Sequence, residues 1–175
     1  MTDFTKNGSS GGETIGALLA KNASLHGKDI ARREKERGIW KETTWAEYAQ
    51  EVVACAAGLE KIGVKPGKAV LVLGDNRARL YGGMLAVSLL GAYAMPAYPG
   101  ATLEELRHFL GEVEIFAAIA EDQEQVDKIL ELKDAGAEGI DHIIYDEARG
   151  LGFYEVEGLT SWDHLIKIGQ HDLNE

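Results

Sequence analysis

The chain has 175 residues, 45% of them hydrophobic and 27% charged, with a formal net charge of −11, which fits one compact domain with a real core and argues against a nucleic-acid partner, because phosphate contacts need clustered Lys and Arg. No apolar run reaches the roughly 18 residues of a membrane span, and no basic-then-apolar leader opens the chain. The single cysteine, Cys55, excludes an internal disulfide and points to a reducing compartment, so the cytoplasm is the expected location.

Residues 1–12 are polar and rich in Gly and Ser, which predicts a disordered leader. From Glu13 to His26, Ile15, Leu18, Leu19 and Leu25 recur at helical spacing. Asp29 to Lys35 and Gly38 to Thr43 read as a small edge hairpin. Its basic run (Arg32, Arg33, Lys35, Arg37), interrupted by Glu34 and Glu36, reads as a solvated charged strand or turn. Thr44 and Glu47 form a capping box for the next helix. Trp45, Tyr48, Val52, Ala56, Leu59 and Ile62 make its apolar stripe, and Gly63 ends it. Cys55 lies beside that stripe with no base at a recognisable distance, so it reads as a packed thiol.

Pro66-Gly67 leads into Ala69 to Leu73, apolar on both faces as a strand covered from both sides must be. Arg77 to Leu90 is a helix with almost no polar face, predicted to lie buried between layers. Gly82-Gly83 in its interior suggests close approach of another backbone. Tyr93 to Ala97 is a short strand. In "YAMPAYPGAT", Pro96 and Pro99 fix φ, Gly100 frees the turn, and Thr102 with Glu105 opens the helix Leu103 to Gly111. Ile115 to Ala120 is again wholly apolar. Asp122 caps the helix Gln123 to Lys133, whose inner face holds Val126, Ile129 and Leu130. Asp141 to Tyr145 is a strand, Gly150 to Gly158 a loop or hairpin, and Thr160 to Asp163 caps a last helix running to Ile168. This alternation predicts an α/β fold: a doubly wound, mostly parallel sheet with helices on both faces and a small edge hairpin.

Ligands of such sheets sit at the carboxyl ends of the strands. The relevant loops are Gly74-Asp75-Asn76, Ala97 to Ala101, and Glu121-Asp122. None carries G-x-G-x-x-G or G-x-x-x-x-G-K-[ST]. Gly74-Asp75-Asn76 could hydrogen-bond a ligand, and capping the following helix is the stronger expectation. His26, His108, His142, His164 and His171 show no metal spacing. Glu104 with Glu105, and Glu112 with Glu114, read as solvent-facing carboxylates rather than an acid/base pair. No residue is therefore assigned as catalytic, cofactor-binding or metal-binding.

The order of pieces is more specific than any one of them. Thr44-Trp45-Ala46-Glu47-Tyr48, Gly58-Leu59 with Gly63-Val64-Lys65-Pro66-Gly67, Asp75-Asn76-Arg77, Gly91-Ala92 with Pro96, Tyr98-Pro99, and Glu121-Asp122-Gln123-Glu124-Gln125 follow one another as in the acyl-adenylate-forming enzymes. From about Glu13 to Ile168 the chain resembles the N-terminal part of AMP-forming long-chain fatty acid–CoA ligases. The resemblance implies the first subdomain of the large N-terminal domain of adenylate-forming enzymes, with residues 13–170 as one α/β subdomain and 171–175 as a truncated C-terminal end. It implies a parent enzyme that uses ATP, CoA and Mg²⁺ to join a fatty acid to CoA. The family's T-S-G-[ST]-T-G-x-P-K-G phosphate loop is absent from these 175 residues. The chain alone is therefore expected to be inactive and to hold none of those ligands tightly. A homo-oligomer and a membrane-peripheral parent are compatible with this reading. The alternative is a naturally short, non-catalytic α/β binding or interaction module.

Overall fold

A computed structural model describes residues 13–137 and 139–174. The expected leader, 1–12, lies outside the described residues. In chain order the elements are α1 (Ile15–Leu25), β1 (Ile30–Glu36), β2 (Ile39–Thr44), α2 (Trp45–Lys61), β3 (Ala69–Leu73), α3 (Ala78–Leu89), β4 (Tyr93–Ala97), α4 (Leu103–Glu112), β5 (Ile115–Ala120), α5 (Gln123–Asp134), β6 (His142–Tyr145), β7 (Leu159–Ser161) and α6 (Trp162–Asn174).

Five strands form one sheet in the order β4-β3-β5-β6-β7, every pair parallel. Alternate residues supply two cores, as the pleat requires. Val70, Val72, Ala117, Ile119 and Ile144 face a layer holding Val52, Leu59, Leu80, Val87, Trp162 and Leu165. Leu71, Leu73, Ala118, Ala120 and Ile143 face Leu106, Val126, Ile129 and Leu132 of α4 and α5. The two wholly apolar segments are thus adjacent interior strands, and the doubly wound α/β expectation holds. The chain steps from β3 outward to β4, then returns across β3 to lay down β5. The strand order therefore reverses between β3 and β5, which is where such sheets open a crevice.

The caps follow the sequence. Thr44 Oγ1 accepts from the Glu47 N–H at 3.3 Å while Glu47 Oε2 accepts from the Thr44 N–H at 2.8 Å, and Thr102 with Glu105 repeats the same box. Asp122 Oδ1 accepts from the Gln125 N–H, and Ser161 Oγ from the His164 N–H. Pro96 sits in β4, at the sheet's edge, where its missing N–H breaks no ladder. Beyond it, Lys128 Nζ of α5 donates to the Pro99 carbonyl and pins the proline corner.

Several expectations need correction. The α1 stripe is mostly outside: Leu19 is buried, but Ile15, Leu18 and Leu25 are exposed. Helix α3 covers one face of the sheet and is not sandwiched between layers, since Tyr81 and Ser88 face water. Gly82 and Gly83 make room for side chains, not for a backbone. A methyl on Gly83 would lie 2.7 Å from Ile119 Cδ1 and 3.4 Å from the Trp162 ring. The close backbone approach is at Gly58 in α2, where a methyl would meet the Leu165 carbonyl oxygen of α6 at 2.5 Å. Gly169 answers it from α6, against the Ala54 carbonyl. The short strand β7 follows the 146–158 loop, and α6 continues past Ile168 to Asn174.

Candidate functional site: a charged cleft at the strand ends

The loop after β3 is held from across the reversal point by one carboxylate. Glu121, the first residue beyond β5, is 9% exposed. Its Oε2 accepts from the Asp75 N–H at 2.6 Å, and its Oε1 from Arg77 Nε at 2.6 Å. Its backbone joins the other neighbours: Glu121 N donates to the Leu73 carbonyl, and Glu147 N donates to the Glu121 carbonyl. Gly74 is required beside it, because a methyl there would lie 2.6 Å from Glu121 Cβ in a backbone of φ +156°. The hydrogen bond to Glu121, then its charge, raises the Arg77 guanidinium above its ordinary range.

The capping role expected of Gly74-Asp75-Asn76 is not what the loop does. Arg77 occupies the N-cap of α3 without a side-chain bond to the helix. Asp75 Oδ1 accepts from the Asn76 N–H, and Asn76 Oδ1 accepts from the Tyr81 hydroxyl. Glu121 competes for the donors that point out of the loop, and a buried charge held by two such bonds outranks a solvent-exposed cap.

Beyond Glu121, the sheet end and the β1–β2 hairpin enclose a cleft of about 800 Å³. Arg79 Nη1 binds Asp146 at 3.0 Å and Nη2 binds Asp163 at 2.8 Å, linking the ends of β6 and β7. Arg32 Nη2 binds Glu51 at 2.5 Å, Nη1 donates to the Ala78 carbonyl, and the guanidinium lies 4.8 Å from the Tyr48 ring centroid. Arg32 is therefore an anchor between hairpin and body, which corrects the reading of its run as solvated. Burial pushes the Asp146 carboxyl above the usual carboxylate range, with Arg79 pulling the other way. Among the described residues, seven Arg or Lys and seven Asp or Glu line the cleft. That balance gives no net field to draw in a polyphosphate.

The groups that the resemblance implies do not fit here. A triphosphate needs free backbone N–H donors beside an available cation, whereas at the strand ends the Asp75 N–H, Arg77 and Arg79 already serve carboxylates, and Lys35, Arg37 and Lys41 lie on the hairpin. Among the described residues no group of three or more His, Cys, Asp or Glu could hold a metal ion. His26, His108, His164 and His171 are exposed, and His142 is half-buried beside the Phe116 ring. Glu104, Glu105 and Glu114 are exposed, while the side chain of Glu112 lies outside the described residues. Cys55 is fully buried, and desolvation pushes its thiol far up, as a packed residue requires. No described helix is long and apolar enough to cross a membrane.

Of the three expected loops, the structure brings Gly74-Asp75-Asn76 and Glu121-Asp122 together. It leaves Ala97 to Ala101 on the far side of β3, touching the others through the Gly74 N–H to the Ala97 carbonyl. Sequence reasoning missed Arg79, Asp146 and Asp163. Asp146 had a usable signal, since it directly follows a strand whose carboxyl end faces the same edge.

Comparison with known proteins accords with this architecture. The AMP-binding enzyme family matches over residues 19–168. The chain is 30% identical over 95 residues to the long-chain-fatty-acid–CoA ligase FadD15 of Mycobacterium tuberculosis, covering 54% of this chain and 16% of that protein. It is 24% identical over 121 residues to the long-chain-fatty-acid–CoA ligase ACSBG2 of Xenopus laevis, covering 69% and 16%. It therefore spans 16% of the length of either relative. Among solved structures, acetoacetyl-CoA synthetase from Streptomyces lividans superimposes with a TM-score of 0.75 at 21% identity, over 86% of this chain and 24% of that one, a likeness of fold. With the family matched over most of its length, the chain belongs to the AMP-binding enzymes.

Proposed function

We propose that the chain is the leading α/β subdomain of an AMP-forming long-chain fatty acid–CoA ligase, and that it is a scaffold without activity of its own. In the parent enzyme the fatty acid carboxylate attacks the α-phosphate of ATP, giving acyl-adenylate and pyrophosphate. The CoA thiol then displaces AMP and forms the thioester. ATP, CoA and Mg²⁺ belong to that larger protein, and no residue of this chain is given a catalytic, cofactor or metal role. Residues 13–170 form the subdomain, whose last helix, α6, extends to Asn174. The parent works in the cytoplasm or at the surface of a membrane.

The observation that carries this reading is the family match over residues 19–168 in a chain spanning 16% of its ligase relatives. The fatty acid substrate class is supported by the names of those relatives. Inactivity is supported by a strand-end cleft in which Arg32, Arg77, Arg79 and Arg149 are engaged by carboxylates, and by the absence of the phosphate-loop motif from these 175 residues. The test is acid-dependent exchange of labelled pyrophosphate into ATP. The 175-residue chain should give no exchange with palmitate or any shorter acid, while a longer reading frame containing the phosphate loop should give it. Exchange by the short chain above a protein-free blank would overturn the scaffold reading.

A further inference from the structure

The β1–β2 hairpin forms a sheet of its own, bonded to no strand of the five-stranded sheet. None of its described side chains enters either core, and Ile30, Ile39 and Trp40 stay exposed. A two-stranded hairpin has little stability alone, so its place over the strand ends rests on contacts with the body and not on burial.

Arg32 supplies three such contacts near the base. Its Nη2 meets Glu51 Oε2 of α2 at 2.5 Å, and its Nη1 donates to the Ala78 carbonyl at the start of α3. Its guanidinium also lies 4.8 Å from the Tyr48 ring centroid. The Arg32 and Glu51 side chains are each 21% exposed, so water and salt screen this pair less than a bridge on the open surface. Beside Arg32 the ladder is irregular. Ile30 pairs with Thr44 and Arg32 with Thr43, which leaves Ala31 as an extra residue on β1. Such a bulge interrupts the ladder and bends the strand that carries it. Below the bulge the chain is tied down by backbone bonds, from the Trp45 N–H to the Asp29 carbonyl and from the Ala46 N–H to the Gly27 carbonyl. Thr44, at the end of β2, is held by its capping box with Glu47. Above the bulge the ribbon leans over the strand ends, where Glu34 and Thr43 line the cleft from the hairpin together with Glu121, Asp146 and Asp163 of the body.

We infer that the hairpin is a flap over this cleft, hinged at the Ala31 bulge and latched by Arg32 on Glu51. Releasing the latch swings the tip away while the five-stranded sheet stays folded. Opening uncovers the edge that carries Glu121 and Arg77, so the latch controls entry to the cleft from the hairpin side. The inference stands on the hairpin and its anchor and does not depend on the ligase reading.

The test is the distance between hairpin and body, read by double electron–electron resonance. Spin labels are attached through Ile39→Cys near the tip and Lys167→Cys on α6, both exposed positions. Cys55 is fully buried and stays unlabelled. With the latch intact, one narrow distance distribution is expected. Glu51→Ala should add a second population at longer distance with the melting temperature little changed. Glu51→Gln, which keeps an acceptor oxygen but not the charge, should give a smaller fraction of the same population. Three outcomes overturn the inference: a distribution that Glu51→Ala leaves unchanged, a broad distribution with the latch intact, or a melting temperature that Glu51→Ala lowers as far as Leu73→Ala does.

Discussion

Glu121 shows how one side chain organises the strand-end edge. Replacing it with Ala leaves the Asp75 N–H without its acceptor and Arg77 without its partner. A loss of about 1–3 kcal/mol is expected, read in urea melts, with Glu121→Gln losing less because it keeps an acceptor oxygen. The capping boxes give a pH signature. Hydrogen bonds from the Thr44 backbone and then its side chain lower the Glu47 carboxyl below its usual value of 4.5, and Thr102 does the same for Glu105. A lowered folded-state pKa means stabilisation that is complete above pH 4.5 and lost as the pH falls through the folded-state value. Thr44→Ala should cost about 1 kcal/mol near neutrality. Glu47→Gln should separate from the wild type above pH 4.5 and converge with it in acid melts. These boxes were legible because both partners lie within one turn of helix. Glu121 was not, because Asp75 and Arg77, 46 and 44 positions away in the sequence, reach it only after β3 and β5 have paired.

Among the elements, periodicity identified every strand apolar on both faces and every long helix, and failed where burial is one-sided or brief. Strand β7 is Leu-Thr-Ser, with no apolar run to mark it, and forms only because β6 offers an edge. The apolar stripe of α1 has the right spacing yet buries Leu19 alone, so pattern did not guarantee a partner. The layer assignment is tested by Leu73→Ala and Ile119→Ala, both sites fully buried. Each should cost about 2–5 kcal/mol, against under about 0.5 kcal/mol for exposed Glu104→Ala. The α2–α6 crossing makes a sharper demand. Gly58→Ala would force the Leu165 carbonyl away and should cost about 1–3 kcal/mol by overpacking. Gly100→Ala, with nothing within 4 Å of the added methyl, serves as the neutral control. Equal melting midpoints for these two glycine variants would contradict the close crossing.

At the scale of the whole molecule, charge and exposed apolar surface act against each other. A net charge of −11 keeps copies apart near neutrality, while Ile15, Leu18 and Leu25 on α1 offer a contact surface. Association measured by light scattering should therefore rise as the pH approaches the isoelectric point near 4.9. Leu18→Ser/Leu25→Ser should reduce it at every pH. The α2–α6 crossing also sets a timetable for synthesis. Lys61 and Asp172, 111 positions apart, form an ion pair between these helices, and Trp162 and Leu165 of α6 complete the layer over Val70 and Val72 of β3. On a ribosome adding about 5–20 residues per second, β3 precedes α6 by roughly 5–20 s. Throughout that interval one side of the nascent sheet lacks its indole and leucine cover and rests on α2 and α3 alone.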